Sequence, residues 1–278
     1  MDGMTAASVY EDMHLPVLSM GGIVILLLVL LPAAAVIGHA LGRRQRQRTL
    51  AAGREVDKVT GETSLGAILG ILGLLLAFSF GNALTLAQTR KSTVIDEAAA
   101  LGTVFLRADY LAEPGRTELR EAIYAYTQTR VVPDASQMSD AHGVRDFLET
   151  TLTAQAALWP ATLAATAAPV PPPTATFVAS AMNDALDAHL YRMQTFAVPV
   201  ADITQGMVLA AALASLFLLG NRSGMHGRAL SWRTFMFSGF LFVVMVTIVD
   251  VQRSSAGLVK TDQSPFLVTL FDMEQALR

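Results

Sequence analysis

The fold class this sequence predicts is an all-α membrane protein, with four transmembrane helices and a helical domain inserted between the second and third. Three observations lead there. Hydrophobic residues make up 53% of the chain and charged ones 15%, mean hydropathy is +0.45, and the apolar residues gather in four uncharged blocks. Such blocks suit lipid better than the amphipathic pattern of a soluble core. Two short basic stretches separate the first block from the second and the third from the fourth. Between the second and third lies a long, helix-patterned segment punctuated by prolines, with no strand alternation and no repeat.

Residues 1–16 form an N-terminal tail carrying Asp2, Glu11 and Asp12 but no Lys or Arg. A cleaved signal peptide needs a basic start, so "PAAAVIGHA" is not expected to be a cleavage site. The first span, 17–41, has no charge from Val17 to Gly38, and at about 1.5 Å rise per residue it crosses a hydrocarbon core of roughly 30 Å. A basic loop, 42–63, follows with Arg43, Arg44, Arg46, Arg48, Arg54 and Lys58, and then the second span, 64–86. The third span is 199–220, and the short loop 221–233 carries Arg222, Arg228 and Arg233 with no acid. The fourth span, 234–250, is flanked by Trp232 and Asp250 at the two interfaces, and 251–278 form a C-terminal tail. Basic short loops stay in the cytoplasm, which places both termini and residues 87–198 outside it. The run Arg43 to Arg48 also suits contact with anionic lipid.

Within 87–198 a helix continuous with the second span runs to the Pro114-Gly115 break. "RTELREAIYAYTQTRVV" then stops at Pro133, and "GVRDFLETTLTAQAALW" stops at Pro160. A Pro-rich linker, 169–173, reads as a stiff polyproline-like connector. Thr174 is placed to cap a last helix, which enters the third span through a kink at Pro199.

Several functions are excluded at this level. A net charge of −3 offers no basic excess for nucleic acid. With no cysteine, the chain forms no disulfide or thiolate metal site. His14, His39, His142, His189 and His226 lie too far apart for a HxxxH or HExxH pair, so no metal or cofactor is expected. No GxSxG, P-loop or GxGxxG pattern suggests an enzyme.

The second span carries the most informative pattern. With Asn82 set at zero and about 100° advanced per residue, Ile71, Leu75, Phe78, Asn82, Thr85, Thr89, Thr93, Asp96, Thr103 and Arg107 fall within about 60° of one line. The front thus grades from bulky apolar through hydroxyl and amide to charged side chains, as in the wall of a water-filled passage with a dry constriction. Ile71, Leu75, Phe78, Asn82, Thr85 and Thr89 are the candidate pore lining. Gly66, Gly70, Gly73, Ala77 and Gly81 form a small-residue back on which another helix can approach closely. Asp96, Glu97, Arg107, Asp250 and Arg253 are candidate vestibule charges. The same residues have a plainer reading: small faces occur on packed membrane helices generally, and Asn or Thr can serve a neighbouring helix.

The "LLLAF" of residues 74–78, the acidic-Ala run Asp96 to Ala99, "LRAD" at 106–109 and the helix Leu119 to Arg130 resemble the bestrophin-like membrane family. Near the fourth span that family has Leu-Asp-Arg-Pro and a Gly; here Asp250, Arg253, Gly257 and Pro265 remain, with Val-Gln inserted and no Pro after the Arg. The resemblance covers most of the chain from residue 65 onward. It implies a multi-pass protein of the bacterial inner membrane, distantly related to bestrophins, which are oligomeric anion channels whose second membrane helix lines the pore. By it, Ile71, Leu75 and Phe78 would form the apolar neck. Bestrophins keep their termini in the cytoplasm, whereas the basic loops here argue the opposite, and direct charge evidence takes precedence. The expected function is an oligomeric channel passing small inorganic ions across the lipid bilayer. The alternative is a non-conducting sensor or assembly protein whose extramembrane helices bind a partner or ligand.

Overall fold

The computed structural model describes residues 19–55, 62–132, 141–167, 169–197, 202–252 and 261–278. Every regular element among them is helical: α1 (Met20–Ala51), α2 (Glu62–Arg107), a 3-10 turn (Ala108–Tyr110), α3 (Gly115–Thr129), α4 (Ala141–Ala165), α5 (Pro172–Ala197), α6 (Asp202–Met225), α7 (Trp232–Gln252) and α8 (Ser264–Leu277). Four of them, α1, α2, α6 and α7, are long and apolar enough to cross a membrane. The chain divides into two compact units, one comprising 16–85 and 199–253, the other 86–198 together with 254–278.

The first unit holds α1, the apolar half of α2, α6 and α7. Leu27, Leu31, Leu72, Val208, Leu216 and Leu241 make its core, while Ile25, Leu28, Phe240 and Val243 are exposed, as lipid-facing side chains would be. Its closest contact is between α1 and α6. A Cβ added at Gly38 or Gly42 would fall on the backbone of Phe217 or Asn221, and one at Gly220 or Gly224 on that of Ala35 or His39. Two Gly-x-x-x-Gly pairs therefore face each other, and backbones approach where lipid supplies no hydrophobic drive. Both helices end alike. Gly53 and Gly227 have φ of +68°, and the next residues, Arg54 and Arg228, donate to Thr49 and Ser223 carbonyls, a Schellman closure.

In the second unit the polar half of α2 packs with α3, α4, α5 and α8 around Leu101, Phe105, Ile123, Leu158, Met182 and Phe266. Four expectations need correction here. α4 does not stop at Pro160 but passes through it to Ala165; Leu158 and Thr162 on either side are fully buried, so packing holds both halves against the roughly 3 kcal/mol such a proline costs. The run 169–173 is not all linker, because Pro172 and Pro173 open α5, where a missing N–H and preset φ are tolerated. Thr174 therefore lies inside the first turn instead of capping it. The C-terminal tail also holds a helix, α8, whose Phe266 and Met273 are buried in this core. The kink expected at Pro199 lies outside the described residues.

Candidate functional site

The front of α2 lines a hollow in each unit. In the membrane-type unit, Leu75, Phe78, Ser79 and Asn82 face Thr204, Gln205 and Val208 of α6 and Met245, Ile248 and Gln252 of α7 across a cavity of about 320 Å³. Leu75, Phe78 and Asn82 are thus brought together, whereas Ile71 does not line it. Phe78 is 68% exposed and Ile71 55%. Thr85 is also exposed, its hydroxyl donating to the Gly81 carbonyl at 3.0 Å. In the other unit, Thr89, Thr93 and Asp96 line a cleft of about 620 Å³ opposite Asp184, Asp187 and Tyr191 of α5.

The back of α2 is open as well. Cβ atoms added at Gly66, Gly70, Gly73 or Gly81 would meet nothing within 4 Å, and Ala77 is exposed. Close glycine packing within the chain is found instead between α1 and α6.

Glu97 overturns its reading as a vestibule charge, for it is fully buried. Arg130 donates to both of its oxygens, Nε to Oε1 at 2.7 Å and a terminal nitrogen to Oε2 at 3.1 Å. Arg192 donates to Oε2 at 3.0 Å, and the Tyr126 hydroxyl to Oε1 at 3.0 Å. His189 Nδ1 lies 2.8 Å from that hydroxyl. Since the tyrosine proton goes to Glu97, Nδ1–H is the donor to the tyrosine oxygen and the ring is neutral at Nε2. Arg192 also reaches Gln263 Oε1 at 3.3 Å and stacks 4.6 Å from the Phe266 ring centre. Residues from α2, α5, the end of α3 and the start of α8 are thereby tied to one carboxylate.

The electrostatics follow from that geometry. Burial alone would raise Glu97, but the charge of Arg130, the His189 imidazole 3.6 Å away and the charge of Arg192 outweigh it and hold the carboxyl well below its usual range. Burial, then the charge of Glu97, raises Tyr126 and keeps its proton on. Burial lowers His189. Burial and the neighbouring Arg130 lower Arg192 to about 10, still a cation at neutral pH.

Arg107 is also no open vestibule charge: it donates to the Phe177 carbonyl at 3.0 Å and covers the Phe177 ring at 4.1 Å. Asp250 is 5% exposed, not open to solvent. Arg253 lies outside the described residues. Asp96 is exposed, in the cleft.

Sequence reasoning passed over Tyr126, Arg130, His189 and Arg192, yet a signal existed. Val94, Leu101 and Val104 in α2, Leu119 and Ile123 in α3, and Val178, Met182 and Ala185 in α5 are buried stripes. Glu97, Tyr126, Arg130, His189 and Arg192 continue those stripes at three- and four-residue steps. Opposite charges on apolar stripes of separate helices must meet, because a buried charge has to be paired.

No family model matches the chain, and searches of curated proteins and of solved structures find no match.

Proposed function

We propose that the protein is a homo-oligomeric membrane channel for small ions, with copies of α2 around the passage. The observation that carries this reading is that polar residues of the α2 front stay exposed beside the hollows they line, while its glycine back meets no other helix among the described residues. Asn82, Thr85 and Thr89 stand exposed on the front, and the glycine back has no neighbour within 4 Å. A polar front facing lipid is costly, and an uncovered small-residue back offers close packing to another copy. An ion following the front would meet Phe78, then Asn82, Thr85 and Thr89, then Asp96. With Asp184 and Asp187 across the cleft from Asp96, the field favours cations over anions.

Mass determination of the protein–detergent complex tests the assembly: several copies per particle are expected, and a monomer would leave α2 no axis to line. We place the protein in the cell membrane with both basic loops in the cytoplasm. Single cysteines at Gln47 and Ser223 should be shielded from an impermeant thiol reagent in intact cells, while one at Ser136 is labelled; the reverse pattern would invert the topology.

A second reading, a non-conducting sensor or assembly protein, is favoured by one feature. The cleft lined by Asp96, Asp184 and Asp187 has a wall held from behind by the Glu97 cluster, a rigid concavity able to receive a cationic ligand or partner.

A further inference from the structure

The cavity between α2, α6 and α7 has a segregated lining. Leu75, Phe78, Val208, Met245 and Ile248 make one part apolar. Asn82, Thr204, Gln205 and Gln252 make the other polar, with the Gln205 amide donating to the Gln252 side-chain oxygen at 2.9 Å. Thr204 and Gln205 lie at the start of α6 and Gln252 at the end of α7, and Asn82 lies toward the end of the apolar block of α2. With α6 and α7 crossing a bilayer, that end would meet an interface, and the apolar part would lie a turn or two deeper. Among the described residues, no charged side chain lines the cavity.

One polar atom there stands without a partner. Ser79 is 6% exposed, lines the cavity, and its hydroxyl makes no hydrogen bond among the described residues. A buried hydroxyl left unsatisfied is unfavourable, and a ligand offering a donor or acceptor would recover that loss. At about 320 Å³ the hollow falls at the lower end of the roughly 300–1,000 Å³ of small-molecule sites.

We infer that this cavity binds a neutral, single-chain amphiphile from the membrane, its uncharged hydrogen-bonding head among Ser79, Asn82, Gln205 and Gln252 and its chain along Leu75, Val208 and Met245. The polar groups that the described lining offers are hydroxyls and amides, which suit an uncharged head better than a carboxylate or ammonium, because burying either ion unpaired is far costlier than burying a hydroxyl. The site does not depend on conduction, so its test is read without flux.

The test uses the full chain in phosphatidylcholine nanodiscs and a photoactivatable diazirine-bearing dodecanol. Labelling should saturate, map to the segments around 75–82 and 245–252, and be displaced by plain dodecanol at least about tenfold more effectively than by dodecanoate or dodecylammonium. Val249→Phe and Thr204→Phe, which fill the cavity from two different helices, should each remove the saturable part. Val243→Phe, exposed elsewhere on α7, should keep it, and two filling variants guard against one that fails to fold. Labelling that never saturates, that follows charged and neutral competitors alike, or that survives both filling variants in folded protein would overturn the assignment.

Discussion

Glu97 is held, fully buried, by two guanidiniums and a phenol, so its removal leaves positive charge buried and uncompensated. Breaking a buried pair from one side typically costs 3–5 kcal/mol, and Glu97→Gln should destabilise the unit built on α3, α4, α5 and α8 by roughly that amount. Thermal unfolding in detergent, with proteolysis mapped to that unit, checks it. The cluster also sets a pH dependence. His189 has a folded pKa below its ordinary 6.5, so the unfolded chain binds more protons in the window just beneath 6.5, and stability falls as pH drops through it. Glu97, depressed from an ordinary 4.5, adds a second loss that begins below that value and runs down through its folded pKa. His189→Asn should flatten the first decline between pH 7 and 5 and leave the second; an unchanged first decline would remove His189 as its cause. At this scale the sequence was only half legible. The stripes that hold Glu97, Arg130 and Arg192 can be drawn on each helix, but which helices meet is a tertiary fact that one chain's periodicity does not carry.

The four helices long and apolar enough to span, and the long run of α2 past its apolar block, were legible because a gathered apolar block and an unbroken helical period are local signals. The exceptions were places where packing overrode a local breaker. Pro160 sits inside α4 between buried residues, and Pro172 and Pro173 start α5 instead of bridging to it. α8 went unread because its helix is short and follows no apolar block. Glycine positions separate two roles for small residues. Gly38→Leu or Gly220→Leu would drive a side chain into the backbone of the partner helix, so loss of folded, monodisperse protein is expected, with a cost of roughly 1–3 kcal/mol or more. Gly70→Leu meets nothing in its own chain, and should leave each subunit folded while weakening assembly. If both substitutions affect folding alike, the back of α2 is not an inter-subunit face.

For the whole molecule, a helix of 46 residues joins an apolar front to a polar and then acidic one without a break, and its glycine back meets no other helix among the described residues. Phe78 and Asn82 border the hollow against α6 and α7 yet stay exposed, as the proposed passage at an oligomer axis would require. Cation flux into liposomes reconstituted with oligomeric wild type and with Phe78→Ala is the most direct test. Truncating an apolar side chain at a narrow, dry point lets water and ions in more readily, so the account predicts a cation-selective leak in wild type that Phe78→Ala enlarges several-fold. No flux from either protein, with both folded and oligomeric, would contradict it.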